Sequence, residues 1–227
     1  MIRLAVLISG RGSNMTHLAE AIKDYKIAAK ITVVISNRRC AGITLAQNRG
    51  LPTKVIKRKD FDTREEHEAA IAAAIHYHRS TYVFLAGYMA ILSGDFVNQF
   101  AGQIINIHPS LLPAFKGLNT HQRAIDGNVA MHGVSVHLVT AIIDEGPLIA
   151  QAGLPLMAGD TADSLAARVL QLEHQVYPFV LIGLAKKLLS LSPEGALWRT
   201  PSSALAEAPA PMHDLLAQCL IWPASTT

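Results

Sequence analysis

At 227 residues and 24.4 kDa the chain has the length of one α/β domain with a small appendage, and with half of its residues hydrophobic and only 16% charged it has ample core material and little tendency to disorder. The net charge of +3 comes with short runs such as Arg38-Arg39 and Lys57-Arg58-Lys59 rather than a long basic stripe, which excludes nucleic-acid binding as the main role and suits a slightly basic cleft for an anionic metabolite. Cys40 and Cys219 form neither a zinc spacing nor a disulfide framework. No apolar run nears the ~20 residues of a membrane span, and no leader pattern is present, so a cytoplasmic protein without a membrane partner is expected.

In chain order, residues 2–8 read as a buried strand ended by Ser9-Gly10, and residues 14–28 carry a helical pattern. Residues 31–36 are a second strand rich in β-branched residues, followed by a helix around 41–49 and a short strand near 53–57. Asp62 begins a predicted helix to about residue 79, with Glu65 placed for a capping box. Residues 82–86 form another strand, a short helix near 93–100 follows, and a strand at 103–107 comes next. Residues 133–139 and 147–156 have strand character and meet across a turn at Asp144-Glu145-Gly146, so they pair antiparallel. Asp160 or Thr161 starts a long helix to about residue 189. The fold class is therefore α/β: a mostly parallel twisted sheet with helices on both faces, Rossmann-like in its N-terminal half and with mixed pairing in its C-terminal half. From residue 192 the composition turns Ala/Pro-rich and loop-like. Residues 1–200 are read as the domain and 201–227 as a tail, whose apolar 215–222 segment should dock on the domain or on a partner subunit.

Ser9-Gly10-Arg11-Gly12-Ser13-Asn14 lies between the first strand and the first helix. Glycines allow a tight turn, and the helix start offers free N–H groups and a partial positive charge, which suit a phosphate. Ser13 or Asn14 would also cap the helix. A dinucleotide fingerprint fits less well. Its third glycine would fall at Met15, and the second strand ends in Ser36-Asn37-Arg38 without a carboxylate for a ribose hydroxyl.

The run Asn106-Ile107-His108-Pro109 closes the strand at 103–107. Residues two apart on a strand leave one face, and Pro109 breaks the strand just beyond them, so an amide and an imidazole converge at a carboxyl end, where open α/β sheets bind ligands. Such a pair can stabilise an oxyanion during acyl transfer, with Asp144 as a third member favouring a charged imidazole. The plainer alternative is that both side chains satisfy turn backbone. Other histidines, among them His121, His132 and His137, show no persuasive metal spacing, and no metal is expected.

Taken in order, Ser9-Gly10-x-Gly12-Ser13-Asn14, Ser36-Asn37-Arg38, Leu85-Ala86-Gly87-Tyr88-Met89, Asn106 through Pro113, Lys116-Gly117, Asp144-x-Gly146-Pro147 and Glu173-His174-x-x-Tyr177-Pro178 resemble the phosphoribosylglycinamide formyltransferases, folate-dependent enzymes of purine synthesis. The resemblance covers roughly residues 1–200. It implies formyl transfer from 10-formyltetrahydrofolate as cosubstrate to the amine of glycinamide ribonucleotide, by a monomer or homodimer. Asn106, His108 and Asp144 would be catalytic; Gly12, Ser13, Asn14 and Glu173 would bind the ribonucleotide; Arg64, Met89, Ala90, Ile91, Leu92 and Asn106 would bind the folate, Arg64 by pairing with its glutamate tail. Ala90 departs from the arginine usual after that methionine, and the tail beyond residue 200 lies outside the resemblance. The alternatives are a formyltetrahydrofolate hydrolase, which usually carries an extra N-terminal domain, and a non-catalytic module for a phosphorylated ligand or NADP. The hydrolase leaves the phosphate loop without purpose, and the module leaves the Asn106/His108/Asp144 set without purpose.

Overall fold

The computed structural model of the chain describes residues 1–199 and 201–222. Strands β1 (Ile2–Ile8), β2 (Ala29–Ser36), β3 (Thr53–Val55), β4 (Tyr82–Leu85) and β5 (Ile104–His108) run parallel in the spatial order β3-β2-β1-β4-β5. Strands β6 (Met131–Leu138) and β7 (Leu148–Pro155) continue the sheet antiparallel beyond β5, and the two-residue β10 (Leu220–Ile221) pairs antiparallel with β7 at the edge. Strand order reverses between β1 and β4, which makes their carboxyl ends the topological switch point of an open α/β sheet.

The sequence explains why both faces are covered. In β1 the side chains of Leu4, Val6 and Ile8 join one core cluster and those of Ala5 and Leu7 the other, the alternation a strand buried on both sides must have. Helices α1 (Ser13–Asp24) and α6 (Ala162–Ala185) pack on the first face, with α2 (Ala41–Asn48) beside them; α3 (Arg64–Tyr77) and α4 (Gly94–Gln99) cover the second. Tyr177 of α6 is wholly buried, and its hydroxyl lies 3.0 Å from both Leu85 O, at the carboxyl end of β4, and Ile105 O, near the start of β5. It can donate to one carbonyl at a time, so it ties the long helix to the strands that carry the site.

Several boundaries differ from the sequence reading. The capping box of α3 is one residue later than expected: Thr63 Oγ1 accepts from Glu66 N at 3.1 Å and Glu66 Oε2 accepts from Thr63 N at 3.3 Å. A short helix α5 (Thr120–Asp126) fills a stretch given no element, because only Thr120 and Ala124 of its residues are buried and it carries little periodic signal. The segment from residue 192, read as loop, carries strands and helices among its described residues. Strands β8 (Leu189–Ser192) and β9 (Gly195–Trp198) form a hairpin, and α7 (Pro201–Ala206) and α8 (Ala210–Cys219) lead into β10. Met212 and Leu216 of α8 are buried in the main core. The last five residues of the tail lie outside the described residues.

Candidate active site

Three loops meet at the carboxyl edge of the parallel strands. The first, between β1 and α1, has Gly12 at φ 77°, the left-handed region in which a residue without Cβ is favoured. A Cβ there would also stand 2.8 Å from the Cα of Gly42, while Gly42 N donates to Gly10 O at 3.0 Å, so α2 presses directly on this loop. Gly12 is itself the N-cap of α1, and no side chain caps the helix, contrary to the expectation for Ser13 or Asn14. The helix start is therefore left with amide donors free of side-chain competition, the condition for an anion site. Asn14 instead turns its amide to Glu173 of α6, Nδ2 donating to Oε2 at 2.5 Å, while its Oδ1 is buried without a partner. Burial pushes the Glu173 carboxyl above its ordinary range, and the Asn14 amide acts in the opposite direction.

The second loop follows β5. Asn106 and His108 leave one face of that strand, and Asp144, from the β6–β7 connection, reaches His108 with Oδ2 at 3.4 Å from Nδ1. Asp144 sits at φ 53° and accepts from Gly117 N at 2.8 Å; beside it Lys116 Nζ meets Glu145 at 2.6 Å. These contacts latch the 115–117 turn, which follows the cis Leu112-Pro113 bond, to the 140–146 loop. His108 Nε2 faces Phe115 O at 3.1 Å, so both ring nitrogens have partners within the protein.

His137, given little weight from sequence, belongs to this cluster. It stands opposite Asn106 in the β5–β6 register, with Nδ1 2.8 Å from Leu138 O and Nε2 3.2 Å from Asn106 Nδ2. A carbonyl can only accept, so Nδ1 carries the proton, and Nε2 of a neutral ring then accepts from the Asn106 amide. Burial, the largest influence, lowers the basicity of His137, while Leu138 O and the Asp144 carboxylate, 3.7 Å from Nε2, act in the opposite direction. The Asn106 amide is thereby oriented with its second N–H uncommitted. The signal for His137 lay in the register of β6 on β5, not in any motif. His121 and His132 are hydrogen-bonded at 3.1 Å on α5 and β6.

The third loop follows β4. Met89 and Ile91 are 66% and 63% exposed, Ala90 is half-buried, and Leu92 is buried in the second core cluster. Met89 N donates to Ser9 Oγ at 2.8 Å, which ties this loop to the end of β1. Arg64, at the start of α3, donates from Nε to Glu68 at 3.0 Å and from Nη2 to Ile91 O at 2.6 Å. Its guanidinium thus already has a carboxylate partner, which sequence reasoning did not foresee. Arg38, which follows β2, donates from Nε to Ser9 O at 2.6 Å.

A doubly wound sheet with a bare helix N-terminus and an amide–imidazole–carboxylate set at its switch edge defines a class: an α/β protein equipped for acyl transfer beside an anion site. The family model described as "Formyl transferase" matches residues 2–181. The phosphoribosylglycinamide formyltransferase of Escherichia coli (strain K12) is 41% identical over 198 residues, covering 87% of this chain and 93% of that protein. The human trifunctional purine biosynthetic protein adenosine-3 is 40% identical over 196 residues, and the match spans 86% of this chain but 19% of that protein. The crystal structure of glycinamide ribonucleotide transformylase 1 from Symbiobacterium toebii superposes with a TM-score of 0.83 at 36% identity, covering 87% of this chain and 94% of that one. The chain belongs to the formyl transferase family and, within it, to the phosphoribosylglycinamide formyltransferases.

Proposed function

We propose that this chain moves the formyl group of 10-formyltetrahydrofolate to the amine of glycinamide ribonucleotide, with Asn106, His108 and Asp144 performing the transfer. The observation that carries the reading is the committed orientation of Asn106: His137 accepts a hydrogen bond from one amide N–H, and the other is left to point at a carbonyl oxygen beside the His108–Asp144 pair. The phosphate of the ribonucleotide is held by the backbone of Gly12, Ser13 and Asn14 at the start of α1, and Glu173, steadied by Asn14, accepts from the ribose hydroxyls. Arg64 and the 89–92 loop receive the folate, with the exposed apolar side chains of Met89 and Ile91 against the pterin end. Ala90 leaves folate recognition in this loop to backbone groups and to Arg64.

The amine nitrogen attacks the formyl carbon, charge gathers on the formyl oxygen, and the bond from that carbon to the folate nitrogen breaks. Asn106 donates to the developing oxyanion. His108 joins it by exchanging its contact with Phe115 O for the substrate oxygen, while Asp144 stabilises the charged ring. A proton passes from the amine to the departing folate nitrogen through His108 or a water held by Asp144. Work takes place in the cytoplasm. Among the described residues no helix is long and apolar enough to cross a membrane.

The test follows tetrahydrofolate release from 10-formyltetrahydrofolate with and without glycinamide ribonucleotide. Release that requires the ribonucleotide and yields its formylated product is expected. Release at the same rate without it would replace the transferase reading by the hydrolase one, and no release would leave only a binding role.

A further inference from the structure

The acyl-transfer set makes no use of Glu68, yet its carboxylate is only 6% exposed and carries three donors: Arg64 Nε at 3.0 Å, Ser93 N at 2.9 Å and the Ser93 hydroxyl. A buried carboxylate is costly unless its oxygens are satisfied in this way, and removing one partner then disturbs the others. Here the partners are segments of chain. Arg64 opens α3 and reaches on to Ile91 O at 2.6 Å, while Ser93 Oγ accepts from Phe96 N at 3.1 Å and so caps α4. One carboxylate therefore joins the start of α3, the carbonyl of Ile91 and the start of α4. The loop tied down by those anchors presents the large apolar side chains of Met89 and Ile91 to solvent.

We propose that Glu68 is a positioning residue for the folate: it fixes Arg64 and the 89–93 loop in their binding geometry before the cosubstrate arrives. By compensating the guanidinium, it also makes recognition of the folate tail a matter of directed N–H donation rather than net charge. The inference rests on the reading of Arg64 and residues 89–92 as the folate-binding segment. Glu68 touches no reacting atom, so its loss should act through Arg64 and Ile91.

Glu68→Ala and Glu68→Gln are compared with wild type and with Glu65→Gln, an exposed neighbour on the same helix. Glu68→Ala is expected to raise KM for 10-formyltetrahydrofolate about tenfold, and Glu68→Gln by less, while kcat and KM for the ribonucleotide stay within about twofold of wild type. Arg64→Ala combined with Glu68→Ala should be no worse than the worse single variant, because the two act as one unit. A folate KM within about twofold of wild type in both Glu68 variants overturns the proposal. So does a parallel loss of kcat and of both KM values, which would mark a merely structural role. If Glu68→Ala does not fold, Glu68→Gln alone decides, with a folate KM raised at least about threefold supporting the proposal and a smaller rise overturning it. Should the wild type transfer no formyl group, the functional reading fails separately, and calorimetric titration with tetrahydrofolate still decides the role of Glu68. Binding weakened about tenfold in Glu68→Ala supports it, and unchanged binding, or none in the wild type, overturns it.

Discussion

Asn106 keeps one N–H uncommitted because His137 accepts the other, and His137 can accept because its Nδ1–H donates to Leu138 O. Replacing His137 with Phe keeps the ring volume and removes the acceptor. Steady-state kinetics should show kcat falling about tenfold with both KM values nearly unchanged, the mark of an interaction felt mainly in the transition state. Glu173 is a residue whose burial costs stability when its carboxyl is ionised. Its carboxyl titrates above the ordinary range in the folded chain, so the contribution is fully present below the unfolded value of 4.5 and is lost as pH rises through the folded one. Glu173→Gln should therefore raise the thermal midpoint at neutral pH, leave it nearly unchanged at pH near 4, and raise KM for the ribonucleotide, as scanning at several pH values and kinetics would register. Asn106 and His108 were legible in the sequence because a two-residue spacing before a proline places both on one strand face. His137 and Glu68 were not, because each acts only through a partner distant in the chain, at a register or a loop contact that no local pattern encodes.

Helices α1 and α6 are locked together in the first turns of α1, where the 9–14 loop ends. His17 stacks on His174 with ring centroids 3.4 Å apart, and Asn14 meets Glu173 one residue earlier on α6. His174 is 7% exposed with Nε2 lacking a partner, and burial, followed by the neighbouring His17, lowers its pKa to about 4. The sign is the reverse of that for Glu173. The unfolded chain takes up the proton near 6.5 while the folded one resists it, so this contribution is present above pH 6.5 and is lost as pH falls toward 4. Urea unfolding between pH 7 and 4 should show stability declining by up to about 3 kcal/mol from this group, and His174→Phe should flatten that part of the profile. A slope unchanged in the variant would show that the acid sensitivity arises elsewhere. The Glu173-His174 segment could be associated with the site from its sequence, whereas the stack required the packing of two helices 159 residues apart at their Asn14–Glu173 contact.

At the scale of the whole molecule, the parallel half of the sheet was legible because short β-branched runs alternate with helical patterns, and the runs of β1, β4 and β5 end at the candidate site residues. Of the C-terminal part only the docking of the apolar 215–222 segment was legible. Its prolines and alanines read as loop, and burial of α8 against the core, with β10 on the edge of β7, is a tertiary outcome that overrides local composition. Leu216 is fully buried there. Leu216→Ala should cost about 2–5 kcal/mol in denaturant unfolding and leave both KM values as they were, since α8 contributes nothing to the site edge. A change in KM would mean that the C-terminal segment shapes the catalytic edge. The division of labour is thus spatial: β1, β4 and β5 bring the 9–14 loop, the 86–93 loop and the Asn106–His108 pair to one edge, and α6 pins that edge from below through Tyr177. The most direct test of the account is single-turnover formyl transfer to glycinamide ribonucleotide by wild type, Asn106→Ala and His108→Ala at saturating substrates. Rates reduced about 10²–10³-fold in each variant, with ribonucleotide binding retained, are predicted. Transfer at near wild-type rate in either variant would contradict the assignment of the oxyanion site.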